Sequence, residues 1–226
     1  MRTKRMTAVL AGALAAVVMV GGVGTGLDLG SRVAQADNVR LPRAEVNVGT
    51  FLGSYAVGDA KGFTGGVHAG AGWRLGNLLV LGEGTLLRVG DSDDDKDPVQ
   101  GTMTRLGLTG RYSLFTGGER EVSVDVWVEA GVGRELIAWD GGGELGRDDY
   151  AFGFGIQPRF RKNRYGSDDD KRQNQFGYLL ALRMFVANDP GANKAQAPTC
   201  AGPCDRPTRA GRDIGFLFNW SFTFGK

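Results

Sequence analysis

One histidine, two cysteines and two acidic runs are the residues of this 226-residue chain best equipped to move a proton or hold a metal. His68 is the single imidazole, the side chain suited to general acid–base work near neutral pH. It stands in "VHAGAG", with no serine beside it, and a lone histidine in such a stretch serves structure more often than catalysis. Cys200 and Cys204 stand in "CAGPC". Three residues separate them where a thiol-exchange motif has two, and Gly202-Pro203 supplies a turn. In an exported chain a local disulfide between them is expected, ahead of a metal site. "SDDDK" occurs at 92–96 and again at 167–171. Asp91, Asp93 and Asp95 alternate as in a calcium loop, but Lys96 replaces the glycine of position six and Thr102 the glutamate of position twelve. Such runs are read as solvated loop faces, and no cofactor or metal is expected.

A second set of charges is more regular. Arg105, Arg111, Asp125, Glu129 and Arg183 each fall inside a stretch where every second residue is apolar, and each falls on the other phase. Period two is the signature of a strand with unlike faces. Eight such segments are expected, over roughly 43–53, 62–75, 77–89, 101–115, 121–135, 150–162, 174–187 and 210–225. In 121–135, Val122, Val124, Val126, Val128, Ala130 and Val132 oppose Ser123, Asp125, Trp127 and Glu129. In 62–75, Phe63, Val67, Ala69, Ala71 and Trp73 oppose Thr64, His68 and Arg74. The segment 77–89 carries leucine on both phases. The polar phases are rich in glycine, which totals 38 in the chain.

The links alternate in length. Gly76-Asn77 and "TGGER" are tight, whereas "SYAVGDAK", "GDSDDDKDPVQ", "LIAWDGGGELGRDD" and the 22 residues from Asn188 are long and polar. That is an up-and-down meander trimmed at one end. "KNRYGSDDDKRQN", after the sixth segment, is too long for the scheme and leaves another strand count open.

The chain opens "MRTKRMTAVLAGALAAVVMVGG": a basic start, an apolar run, then Ala34-Gln35-Ala36 in the small-x-small pattern of a signal-peptidase site. Residues 1–36 are therefore expected to be a signal peptide and 37–226 one domain, with an uncleaved helical anchor as the competing reading. Removing the leader's four basic residues and one acid from 27 and 25 leaves 23 Lys+Arg against 24 Asp+Glu. That balance argues against a nucleic-acid partner. After residue 36 no apolar run reaches the length of a membrane helix.

The chain ends "DIGFLFNWSFTFGK", with Ile214, Phe216, Phe218, Trp220, Phe222 and Phe224 on one phase and Leu217 as the exception. A soluble sheet could bury that face and a membrane barrel would turn it to lipid. Charges of both signs at mid-strand, the glycine-rich polar phase and the leader favour lipid. So do aromatics near segment ends: Phe51, Trp73, Tyr112, Phe115, Trp139, Tyr150, Tyr178 and Phe224. In this pattern the chain resembles the small bacterial outer-membrane β-barrels of the OmpA-like and OmpX-like eight-stranded class. Asp213-x-Gly215-x-x-Phe218-x-Trp220, followed by Phe224, resembles the signal such proteins present to the barrel assembly machinery, although Gly225-Lys226 follows the last aromatic. The resemblance implies an all-β, antiparallel, up-and-down transmembrane barrel in the bacterial outer membrane, most often of eight strands. It implies lipid and lipopolysaccharide as surroundings and assembly machinery as partner during biogenesis. Arg105, Arg111, Arg183, Asp125 and Glu129 are then expected inside, filling a polar lumen. The expected function is non-enzymatic, in envelope structure or surface-loop interaction, with a small pore as the alternative. Outer-membrane lipid-modifying barrels need a serine near histidine, which "VHAGAG" lacks.

Overall fold

The computed structural model describes residues 41–57, 60–90, 100–118, 122–140, 144–161, 174–188 and 212–226. They form eight strands: β1 (Ala44–Val57), β2 (Ala60–Leu75), β3 (Leu78–Gly90), β4 (Gln100–Gly118), β5 (Val122–Trp139), β6 (Glu144–Arg161), β7 (Gln175–Asn188) and β8 (Arg212–Gly225). Each pairs antiparallel with the next, and β8 returns to pair with β1, so the sheet closes into a barrel without an edge. The leader, the cysteines and both "SDDDK" runs lie outside the described residues.

The register sets the dimensions. Facing partners lead once round the barrel from Glu45 through Gly72, Leu81, Thr109, Gly131, Ala151, Phe185 and Gly215 to Tyr55. The path regains β1 ten residues beyond its start. Ten residues of stagger on eight strands give a tilt of about 40° and a backbone radius of about 8 Å. An interior that narrow has room for side chains and little else.

Two expected links are mostly strand. "SYAVGDAK" is taken up by β1 and β2, which pair as far as Val57 and Ala60. "LIAWDGGGELGRDD" is taken up by β5 and β6, which pair as far as Ala138 and Glu144. The reason is that the alternation continues there: Glu135 and Ile137 stay buried while Arg134 and Leu136 stay exposed. Polar residues on the outward phase had made strand look like loop. At the other end, Gly76 takes φ +61° in the two-residue turn between β2 and β3, a conformation that favours glycine. A bulge between Ser113 and Phe115 lets both Leu114 and Phe115 face outward.

The distribution of burial is inverted. Leu106 and Phe154 are 67% and 60% exposed, whereas Arg105, Arg111, Asp125 and Arg183 are at most 1% exposed. The outward row of β8 from Ile214 to Phe224 spans ten residues, about 26 Å along the axis at this tilt. That matches the apolar band of about 25 Å on membrane barrels. Around a backbone circumference of about 50 Å, the band covers on the order of 1,200 Å². A soluble monomer rarely shows an apolar patch above about 600 Å². The exterior is therefore made for lipid, and the chain is a transmembrane β-barrel. On the loop side the band ends at exposed pairs, Arg134 with Asp148 and Arg88 with Asp140. On the turn side Phe160, Phe176, Tyr178, Phe222 and Phe224 form one aromatic cluster across β6–β8, with Trp73 and Phe115 elsewhere on the rim. Phe51 departs from the expected girdle: it is wholly buried inside the barrel, and Trp139 packs partly buried against the interior.

Leu108, on β4 near the middle of the band, is a direct check of this orientation. Leu108→Arg should cost about 2–4 kcal/mol, the penalty for a cation near the bilayer midplane. The measurement is a refolding titration into lipid vesicles, read by heat-modifiable gel mobility.

Candidate functional site: the charged lumen

The interior is lined by six arginines and six carboxylates among the described residues. No lysine is among them. A buried ion needs a partner, since desolvation costs several kcal/mol that only close, well-oriented opposite charge offsets. Arginine suits such a place because one rigid fork reaches two acceptors at once.

The groups are arranged in tiers along the axis. At the turn-side end, Glu45 is a hub. Arg159 Nη2 lies 2.9 Å from its Oε2, Arg111 Nη1 donates to Oε1 at 3.4 Å, and Gln157 Nε2 donates to the same oxygen at 3.1 Å. Asp125 accepts from the hydroxyls of Ser113 (3.0 Å) and Thr116 (3.2 Å). Arg111 also donates twice to Glu129 Oε2, at 3.2 Å, and its guanidinium stacks 4.1 Å from the Trp127 ring. In the middle tier, Arg183 joins Glu83 and Glu129, donating to Glu83 Oε1 at 2.8 Å and Glu129 Oε2 at 3.0 Å. Thr109 donates to Glu83 at 2.7 Å. Towards the loop side, Arg105 grips Asp149 through Nε and Nη2, at 2.8 Å for the shorter contacts. Above it Arg147 bonds Glu135 at 2.7 Å and also Asp213, and Tyr55 donates to Glu135.

Glycine gives these large side chains their room. A Cβ at Gly133 would fall 2.6 Å from Arg105 Nη2, and one at Gly107 would fall 2.6 Å from its Nη1. Gly107 is thus not a spare polar-face position, where a serine would be mild, but the floor under a guanidinium. Gly155 does the same for the Trp127 ring.

The lumen is not polar throughout. At the loop side Phe51, Leu87, Met103, Ile137, Phe185 and Leu217 pack into one buried apolar cluster, joined by Val57 and Val89. This corrects the expected filled polar lumen, and it explains the two leucine phases of β3. Leu79, Leu81, Leu87 and Val89 point inward with Glu83, while Leu86 points out. Leu217, the exception in the terminal row, belongs to this cluster.

The five charges singled out from sequence, Arg105, Arg111, Asp125, Glu129 and Arg183, are all buried in the interior. Their partners Glu45, Glu83, Glu135, Arg147 and Asp149 were not. Glu83 lay in the ambiguous segment, Glu135 was the last residue of its expected strand, and Arg147 and Asp149 fell where strand was read as loop. Of the terminal motif, Asp213 meets Arg147, and Gly215 lies opposite Tyr55 in the register that joins β8 to β1. Phe218, Trp220 and Phe224 face outward, each about half exposed.

The fold also supplies His68 with the serine its local sequence lacks. Ser221 Oγ lies 2.6 Å from His68 Nε2, and Asn219 Nδ2 lies 2.8 Å from the same nitrogen. His68 Nδ1 has no hydrogen-bond partner, so no third group orients the ring as a catalytic base requires. Ser221 and Asn219 are fully buried and His68 is 3% exposed, which leaves a substrate no approach.

A closed eight-stranded meander with paired charge inside and an apolar belt outside defines the chain as a small transmembrane β-barrel. No family model matches it, and no curated protein matches it. Among solved structures it is similar to Neisserial surface protein A, at 10% identity and a TM-score of 0.44, over 81% of this chain and 96% of that one. It is also similar to Ail, the attachment invasion locus protein of Yersinia pestis, at 12% identity and a TM-score of 0.35, over 81% and 99%. A third is a major outer membrane protein from Thermus thermophilus, at 14% identity and a TM-score of 0.32, over 80% and 99%. The architecture described here rests on the strand ladders and burial of this chain.

Arg183 is the member whose loss should be felt most, because it alone joins Glu83 to Glu129. Arg183→Met leaves both carboxylates without it and should destabilise by about 3–5 kcal/mol, the cost of breaking a buried pair. Adding Glu83→Gln to it should recover part of that loss. Urea unfolding from detergent micelles or vesicles measures both.

Proposed function

We propose that the protein is an exported, non-enzymatic β-barrel of the bacterial outer membrane with a closed lumen, serving envelope structure or interaction at its loop side. The observation that carries this reading is the inverted burial: matched arginines and carboxylates within, an apolar band of membrane height without. Asymmetric bacterial outer membranes are the setting in which such barrels assemble, and a basic, apolar leader ending in Ala34-Gln35-Ala36 fits export to it. Lipid and lipopolysaccharide then meet the belt. The residues Asp213, Gly215, Phe218, Trp220 and Phe224 serve as the signal to the assembly machinery, and Cys200 and Cys204 form a disulfide. The pore reading is weakened by the lumen itself. Tiers of bonded side chains run from its turn side through its middle to Arg105 and Asp149, and Phe51, Phe185 and their neighbours pack beside the last of these at its loop side.

Two measurements test the reading. Purified, refolded protein in planar bilayers should give no steady ion conductance, and well-defined single-channel steps would replace this function with the pore. Protein recovered from outer-membrane fractions should begin Asp37-Asn38-Val39 by N-terminal sequencing, and an intact Met1 there would overturn the cleaved leader.

A further inference from the structure

We infer that the barrel stands in its bilayer at a tilt on the order of 25°, with the loop-side end of β1–β2 laid against the lipid headgroups and the β5–β6 hairpin lifted clear of them. This rests on the belt being set in a membrane, and it says how that belt is seated on the barrel. The register gives every residue a height along the axis. Eight steps between facing partners climb ten residues, so each step climbs about 1.25 residues, and one residue is worth about 2.6 Å along the axis.

The outward apolar rows are equally long but not level. Ten residues separate Val122 from Val132 on β5, Tyr150 from Phe160 on β6 and Ile214 from Phe224 on β8. Measured from the level of Glu45, the β8 row runs from about 1 Å below to about 25 Å above, and the β5 row from about 10 Å below to about 16 Å above. The β6 row lies between them, from about 7 Å below to about 19 Å above. On β2 the row runs from Leu75, about 5 Å below, to Phe63, about 27 Å above. The belt is therefore lowest on β5 and highest on β8 and β2, which flank β1 on the far side. An offset of about 8 to 10 Å across about 20 Å of barrel gives the tilt.

Charge marks the same slant. Arg134 on β5 and Asp148 on β6 form an exposed pair at about 21 and 24 Å, and Phe63, 72% exposed, stands higher than either. A belt square to the axis would either draw that pair into hydrocarbon or leave Phe63 and Ile214 in water. On the turn side it would leave Val122 and Phe160 below the lipid. A slanted belt covers all four apolar residues and keeps the pair outside, with Leu136 above it in water. Trp73, of a type that favours the boundary, sits on β2 just above Leu75, where the slant raises the turn-side boundary. The two hairpins then differ in surroundings. β2 begins three residues beyond Phe63, about 8 Å, whereas β5 runs seven residues beyond Val132 to Trp139, about 18 Å.

The test uses the full chain with Cys200→Ser and Cys204→Ser, refolded in phospholipid vesicles. It carries one nitroxide label at a time, on Phe63→Cys, Leu136→Cys, Leu75→Cys, Val124→Cys or Leu108→Cys, with refolding checked by heat-modifiable mobility. Electron paramagnetic resonance reads label depth from relaxation by oxygen against relaxation by a water-soluble nickel chelate. Phe63 and Leu136 share nearly one height on different sides of the barrel, and so do Leu75 and Val124. The tilt puts the Phe63 label about 8 Å deeper than the Leu136 label, and the Val124 label deeper than the Leu75 label by a similar amount. Equal depths within either pair, or the opposite order, overturn the tilt, and one pair suffices if a variant of the other does not fold. A Leu108 label open to the nickel chelate overturns the membrane span itself, and the tilt with it.

Discussion

Neutralising charge inside a space about 8 Å in radius is the constraint on which this molecule depends. Once the outside of a closed sheet is apolar, alternation delivers every polar side chain to the interior, with no bulk water to solvate it. Six arginines there would be untenable alone, and so would six carboxylates. Together they form a network in which Glu45, Glu129 and Arg183 each serve more than one opposite charge. Sharing of this kind links strands far apart in sequence: Glu83 meets Arg183, and Glu45 meets Arg159. The lumen therefore does for this barrel what a hydrophobic core does for a soluble one, but with directional bonds in place of area.

The stagger of the sheet decides which charges can meet. Some partners face each other on neighbouring strands, as Arg111 with Glu129 and Glu135 with Arg147, and others span the lumen, as Glu83 of β3 with Arg183 of β7, while a one-residue slip would turn every inward charge of a strand toward lipid. Such a slip is prevented at the seam by matching features of β8 and β1. The terminal strand pairs over eleven residues with β1, its aromatics outward, with Asn219 and Ser221 meeting His68 of β2 over Gly49 of β1. Gly215 opposite Tyr55 leaves space for a ring that also bonds Glu135 on β5. Closure and lumen packing are thus one event, since the residues that seal the seam are also members of the network.

Much of this was legible in the sequence because the period is short and the contrast between phases is large. Val122 to Val132 opposite Asp125 and Glu129 states a two-faced strand without any knowledge of its neighbours. What was not legible depended on partners. Glu83 sits among leucines of both phases, and only its pairing with Arg183 across the lumen and Thr109 on the neighbouring strand gives it a side. Arg147 and Asp149 lie in a charged run that reads as loop, because the outward Asp148 there contacts Arg134 above the lipid instead of lipid itself. Phe51 reads as a girdle aromatic by type and position, yet its phase is inward, where it tilts against His68 and Phe185. The contact of His68 with Ser221 joins positions 153 residues apart, and no local motif encodes it.

The two ends of the lumen differ in kind, and the difference follows from the same electrostatics. On the turn side the charges are shared among Arg74, Arg111, Arg159, Glu45 and Asp125, with donors still unfilled. On the loop side the groups are smaller, Arg105 with Asp149 and Arg147 with Glu135 and Asp213, each set beside aromatic walls. A close pair can sit in an apolar surround because its field is short-ranged, even though Arg105 Nη1 and Arg147 Nη2 have no hydrogen-bond partner. The apolar cluster lies beside these close pairs, where Phe185 packs against the Arg105 guanidinium and Tyr55 against that of Arg147, so that the aromatic faces offset part of the cations' lost hydration.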